Sequence, residues 1–226
     1  PFAPSDAGSA IGACLDKHVN ISPYLGPSYK NKWIKTSLDK LPNITYYKIG
    51  EDTLVQKIAQ LLATQHIVAW FQGRMEFGAR ALGNRSILAS PRDGNMRKKL
   101  NMIIKKREGF RPFAPSVTLE DSKRYFDIKE PVPYMNVVVK TKVKYLPAAT
   151  HIDGTSRVQT VTEEQNPLYY KLLKEVGKIT GIPVVLNTSF NLKDQTITIS
   201  PEQALSRFLN SDIDVLVLNN YLILKK

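Results

Sequence analysis

The 226-residue sequence predicts an α+β domain of the α/β type: a mixed, largely twisted sheet flanked by helices. Two observations carry this. Short apolar runs of strand length (HIVAWF, PVVL, VLVLNNYLIL) are interleaved with amphipathic stretches that carry their own helix start and stop signals. The two kinds alternate without a regular βαβ rhythm, which argues for a mixed sheet rather than a purely parallel one.

In chain order, Ser5 to His18 reads as a helix, capped by Ser5 or Asp6 and rich in small residues. About thirty residues containing Pro23, Pro27 and Pro42 follow without a sustained period and read as a linker or irregular embellishment. Thr53 is the expected cap of a helix with Leu54, Val55, Ile58, Leu61 and Leu62 on one side, leading into a buried strand over 66–71. The turn-rich QGRMEFGARALGNRS precedes a short helix around Met96 to Lys106. Arg111 to Leu119 and Tyr134 to Lys140 read as strands, the second on Val137, Val138 and Val139. Asn166 and Pro167 open a helix that Gly181 should close, Pro183 to Leu186 is a strand, and Ser200, Pro201 and Gln203 open a helix to about Asn210. The final apolar segment reads as two strands about an Asn219–Asn220 turn.

Composition bounds the class. A 42% hydrophobic and 23% charged chain is ordinary globular material, and no apolar run approaches the roughly 20 residues of a membrane span. The first ten residues lack the basic start and apolar core of a signal peptide. The single cysteine, Cys14, allows no internal disulfide, which fits a cytoplasmic location. His18, His66 and His151 are scattered, so no metal-ligand spacing is present and no metal residues are assigned. The net charge is +12, and between His66 and Arg111 eleven Lys/Arg against three Asp/Glu carry +8 of it. That concentration suits phosphates, of a nucleotide or of a nucleic acid, and reads equally as a solvated basic face.

Four segments can carry chemistry. In QGRMEFGARALGNRS, Gly73, Gly78 and Gly83 recur every five residues among Arg74, Arg80 and Arg85, a pattern for backbone and guanidinium contacts to an anion. It is neither a P-loop nor a dinucleotide fingerprint, and it reads also as a glycine-rich surface turn. In IKKREGFRPFAPSV, Lys105 and Arg107 lie two apart and Arg111 follows, a compact and a planar cation for a polyphosphate or a basic helix terminus. In HIDGTSRVQTV, Arg157 enters an uncharged strand-like tail, as a ligand arginine or half of a structural ion pair. His151 and Asp153 read as a local hydrogen-bonded pair or as an acid–base couple. In VVLNTSFN, a strand delivers Asn187, Thr188, Ser189 and Asn191 at its carboxyl end, where such sheets bind ligands and where turns also form.

Taken together and in this order, GRMEFGARALGNRSILASPR, KKREGFRPFAPSV, PAATHIDGTSRVQTV and GIPVVLNTSFN resemble the carbamoyltransferase carboxy-terminal domain. That family includes nodulation protein U and the cephamycin and tobramycin carbamoyltransferases. The resemblance covers roughly 48–226 and implies a YrdC-like fold. It implies that residues 1–47 are a remnant of an amino-terminal sugar-kinase/actin-like domain, with a linker. The implied activity is formation of carbamoyl-adenylate from carbamoyl phosphate and ATP with Mg²⁺, the carbamoyl group passing later to a hydroxyl acceptor through that missing domain. The implied pairs are Lys105 with Arg107 and Ser189 with Asn191. Lys105, Arg107 and Arg157 are then expected to do the chemistry, and Arg74, Arg80, Asn84, Arg85, Arg111, Ser189 and Asn191 to bind nucleotide and carbamoyl phosphate. The sequence departs from the family pattern at Ala79, where Gly-Pro-Arg is usual, at Ser156, where Ala is usual, and at Asp194-Gln195-Thr196 in place of a Gly-Glu-Pro-like turn.

Two other readings compete. An RNA-binding module would use the same basic field, but no RNP-type aromatic pattern accompanies it, so a nucleic-acid partner is not expected. A threonylcarbamoyl-adenylate synthase would share the Lys-x-Arg and Ser-x-Asn logic but not GARALGNRS or HIDGTSRVQT.

Overall fold

The structure is a computed structural model that describes residues 2–3, 6–15 and 21–226. One eight-stranded sheet runs through it. Its strands are β1 (Ile44–Lys48), β2 (Val68–Phe71), β3 (Arg85–Ala89), β4 (Ala114–Thr118), β7 (Gln159–Val161), β8 (Val184–Ser189), β9 (Val215–Leu218) and β10 (Tyr221–Lys225). Their order is β1-β10-β9-β2-β3-β8-β4-β7. Only β9–β2 and β4–β7 pair in parallel, the other neighbours being antiparallel, so the sheet is mixed as expected. β5 (Val139–Lys140) and β6 (Thr155–Ser156) form a separate antiparallel pair.

Helices cover both faces. On one side lie α3 (Glu51–Ala63) and α6 (Pro167–Thr180), packing Leu54, Ile58, Leu62, Leu172, Leu173 and Val176 against Val68, Trp70, Val215 and Val217. On the other lie α2 (Asn31–Leu38), α4 (Gly94–Lys99), a π-helical turn (Leu100–Ile104), α5 (Leu119–Tyr125) and α7 (Pro201–Leu209), over Ala69, Phe71, Leu216 and Leu218. Successive residues of β2 and β9 thus enter opposite cores. Two-sided burial is why these strands read as continuous apolar runs rather than alternating ones, each buried Leu or Val contributing roughly 1.5–3 kcal/mol.

The expected caps of α6 and α7 form. Asn166 accepts from Tyr169 N–H, Pro167 occupies the first turn, and Gly181 closes α6 at φ 75°. Ser200 accepts from Gln203 N–H. Asn219, at φ 48°, turns β9 into β10.

Four expectations fail for tertiary reasons. The proposed linker contains α2 and β1: Ile34 and Leu38 are fully buried and β1 pairs with β10, so the compact unit reaches back to about residue 31. Thr53 lies inside α3, whose N-cap is Gly50 without a side-chain cap; Glu51 and Asp52 instead supply negative charge to the first turn. Arg85 and Ser86, read as the end of a turn-rich segment, open the central strand β3, which continues through Ala89. Of Tyr134 to Lys140 only β5 is a strand, because Pro131, Pro133 and the positive φ of Met135 break the run and leave Val137 and Val138 exposed. At the amino end a short helix, α1 (Asp6–Gly12), forms, whereas Ser5 and the stretch 16–20, including His18, lie outside the described residues. None of the described helices is long and apolar enough to cross a membrane.

Candidate functional site: an arginine-lined anion pocket

At the carboxyl end of β8 the sheet meets three loops. Asn187, Thr188 and Ser189 form one wall, the 79–81 loop a second, the entry to β4 (Pro112, Phe113, Ala114) a third, and Arg107, Arg157 and Met135 complete a cavity of about 120 Å³. Three guanidinium-bearing residues, Arg80, Arg107 and Arg157, therefore converge from segments far apart in sequence. Among the described residues no carboxylate lines this cavity. The convergence is felt electrostatically: burial first, then Arg80 and Arg107, hold the Arg157 guanidinium below its ordinary pKa. Among the described residues its buried Nε has no hydrogen-bond partner. Like charges gathered around an unsatisfied buried donor are costly without an anion, so these residues fit a phosphate-sized group. The cavity is smaller than the ~300–1,000 Å³ typical of ligand pockets, enough for the phosphate end of a nucleotide but not the whole of one.

Each cation is aimed by local structure. Arg107 follows the π-helical turn, where Asn101, fully buried, acts as a hub. Its Nδ2 donates to the carbonyls of Gly109 (3.2 Å) and Arg111 (2.8 Å), and its Oδ1 accepts from Arg107 Nε at 2.7 Å. The Arg107 guanidinium lies over the Phe113 ring, 5.0 Å from its centroid. Arg157 sits between β6 and β7, and Ser156 before it donates to the Ala149 carbonyl at 2.7 Å and pairs with the Thr141 hydroxyl. The departure from Ala at 156 thus has a structural use. Beneath the pocket, Gln159 joins the strands: Ser116 Oγ and Asn187 Nδ2 donate to its Oε1, and its Nε2 donates to the Leu82 carbonyl.

Lys105 does meet Ser189 and Asn191. Its Nζ donates to the carbonyls of Ser189 (2.5 Å) and Asn191 (2.9 Å) and to Asn191 Oδ1 (2.8 Å), while Ser189 Oγ donates to the same Oδ1. Burial, then Arg107 and Arg207, push its pKa down to about 7. Three acceptors call for all three ammonium protons, so this cage is built for the charged form. Lys105 stands behind the pocket wall, tying the β8 loop to the π-helical turn.

Arg74, Asn84, Arg85 and Arg111, expected to hold nucleotide, are engaged elsewhere. Arg85 is completely buried, its Nη1 donating to the carbonyls of Gln72 and Asn84 and its Nη2 to those of Pro27 and Gly73, with the guanidinium 3.5 Å above Phe71. Burial lowers its pKa to about 10, leaving it charged at neutral pH. Asn84 links the Arg74 carbonyl to Asn166, Arg74 donates to the Leu25 carbonyl, and Arg111 pairs with Glu108 on the surface. His151 lines a separate cavity of about 830 Å³ with Arg97, Phe110 and Ile152, and its Nδ1 bonds the Thr155 hydroxyl, which in turn donates to Asp153. That is the local-pair reading.

Thr188, named with the strand-end motif, lines the pocket. Glu76 escapes sequence reasoning: buried, it accepts from the N–H groups of Leu82 (2.7 Å), Asn84 (2.7 Å) and Arg85 (3.2 Å) through one oxygen. An isolated glutamate carries no spacing signal. Among the described residues no three His, Cys, Asp or Glu side chains group together for a metal.

The mixed sheet between two helical layers, with a cationic pocket at one strand end, is an α/β domain of YrdC-like fold. Its fold is similar to that in the crystal structure of HypF from T. kodakarensis (TM-score 0.52, 14% identity, 85% of this chain and 26% of that one). Residues 59–225 match the family described as Carbamoyltransferase C-terminus, and the chain belongs to that family. It is 45% identical over 181 residues to nodulation protein NolNO of Sinorhizobium fredii, covering 77% of this chain and 27% of the relative. With the 3'-hydroxymethylcephem-O-carbamoyltransferase of Amycolatopsis lactamdurans it shares 34% over 207 residues, 84% of this chain and 37% of the relative. The chain therefore spans less than half the length of these relatives.

Proposed function

We propose that the chain is the part of an O-carbamoyltransferase that activates the carbamoyl group as an adenylate. The observation that supports this most is the meeting of Arg80, Arg107 and Arg157 in one small pocket at the end of β8. In the proposed sequence, water cleaves carbamoyl phosphate to carbamate and phosphate. A carbamate oxygen then attacks the α-phosphorus of ATP, and the Pα–O bond to pyrophosphate breaks as carbamoyl-adenylate forms. Negative charge is present on phosphate oxygens throughout, so fixed guanidinium groups serve this reaction better than a protein base. Arg107 and Arg157 hold phosphoryl oxygens, Arg80 closes over them from its loop, and Ser189 with Lys105 and Asn191 keeps the β8 end in place. Mg²⁺ would neutralise charge between phosphates, bound mostly through them, since among the described residues no acidic cluster offers a protein cage. Transfer to a hydroxyl acceptor is assigned to an amino-terminal sugar-kinase-like domain, in keeping with the greater length of the relatives.

The test is pyrophosphate release from ATP in the presence of carbamoyl phosphate and Mg²⁺. Slow release that depends on carbamoyl phosphate and disappears in Arg107→Ala is expected. Nucleotide binding that is unchanged by both Lys105→Ala and Arg107→Ala in calorimetry would refute the site assignment.

A further inference from the structure

We propose that Glu76 is the positioning residue of the anion pocket, its carboxylate holding the 76–85 loop in the conformation that presents Arg80 to the bound anion. The proposal rests on the reading of that cavity as an anion site. Arg80 is exposed at the tip of an otherwise largely buried loop, EFGARALGNR, whose Gly78 (φ 110°) and Gly83 (φ 107°) give the backbone freedom that must be removed before a guanidinium can be aimed. Two anchors remove it. On one side Glu76 Oε1 gathers the N–H groups of Leu82, Asn84 and Arg85, turning the chain back on itself. On the other the Ala81 carbonyl accepts from Asn187 Nδ2 at 3.2 Å, tying the loop to β8. Arg80 lies between these anchors.

A purely structural role accounts poorly for the choice of residue. Glu76 is 3% exposed, and among the described residues its Oε2 has no hydrogen-bond partner and no Lys or Arg forms an ion pair with it. Burying a carboxylate in that way costs stability that an apolar residue would not. What it provides is one strong acceptor able to take three N–H groups at once, which no apolar side chain supplies. Gly83 shows how tightly the loop must seat: a Cβ there would stand 2.4 Å from the Tyr169 ring. Glu76 touches no ligand in this account and acts through Arg80.

The test is calorimetric titration with inorganic phosphate of the wild-type chain, Glu76→Gln, Arg80→Ala and the double variant, with amide hydrogen exchange on the same samples. Glu76→Gln keeps the volume and removes the charge. A loss of phosphate affinity of roughly fivefold is expected from it, with no further loss when Arg80 is already absent, because coupled residues are not additive. Faster exchange confined to 77–85 should accompany it. Phosphate binding that falls in Arg80→Ala but not in Glu76→Gln overturns the proposal alone, as do losses that multiply in the double variant. A wild-type chain that does not bind phosphate overturns the anion-pocket reading and this inference with it. Should Glu76→Gln melt too low to titrate, Glu76→Asp, which keeps the charge and shortens the reach, takes its place with the same two outcomes.

Discussion

Arg85 and Arg157 belong to similar-looking basic motifs and have contrasting surroundings. Arg85 donates to four backbone carbonyls, lies on Phe71 and is sealed from solvent. Arg157 sits beside two other guanidinium-bearing residues with a buried donor unmatched. Both leave a buried Nε without a partner among the described residues, so the difference lies at the guanidinium ends: those of Arg85 donate to carbonyls of its own chain, whereas Arg157 stands among like charges that repel it, the arrangement proposed above to take an anion.

The sharpest way to break that contrast is Arg85→Ala. Removing a guanidinium that serves four carbonyls and one ring should lower stability by about 3 kcal/mol or more, read as a large drop in Tm. A variant that melts like the wild type and loses only ligand binding would make Arg85 a functional cation after all. Arg157→Ala should behave in the opposite way. Affinity for ATP should fall by roughly ten- to a hundredfold, the worth of one charged hydrogen-bonding partner, while Tm holds or rises as repulsion is relieved.

Lys105 tests the middle ground, a cation both caged and adjacent to the pocket. Its folded pKa of about 7 lies below the ordinary 10.5, so between those values the unfolded chain binds the extra proton. Its contribution to stability is therefore least favourable below pH 7 and improves as pH rises toward 10.5. The Tm of the wild type relative to Lys105→Met should accordingly move in favour of the wild type between pH 7 and pH 9. A flat difference would show that the carbonyl cage keeps the ammonium at an ordinary pKa. The smallest effect is expected at Arg111, half exposed and paired only with Glu108: Arg111→Ala should change stability by less than about 0.5 kcal/mol in a urea melt.

What was legible in the sequence follows from the range of the forces involved. Asn166, Gly181, Ser200 and Asn219 act on backbone groups a few residues away, so their caps and turn could be read directly. The strand β3 could not, because RSILA is held by β2 and β8, whose positions only the assembled sheet sets. The same holds for α2 and β1, which owe their existence to α7 and β10. At the site, the basic motifs announced Lys105, Arg107 and Arg157 and their approach to Ser189 and Asn191. Which arginines would turn inward to carbonyls was invisible, since Arg80 and Arg85 differ in sequence only by their place in one loop. Glu76 and Asn101 were invisible too. Each works through backbone groups brought to it by folding, and neither stands in a pattern.

The terminal hairpin of β9 and β10 has a consequence for how the chain is made. It lies inside the sheet, between β1 and β2, and Ile44 finds its partner in Lys225. In chain order that partner comes after every other strand of the sheet. Until then β1 has no neighbour and β2 lacks one side, two open edges of the kind that recruit other nascent chains. The sheet cannot close before the hairpin has been made, and a deletion that removes the hairpin would expose the interior of the sheet rather than trim its rim.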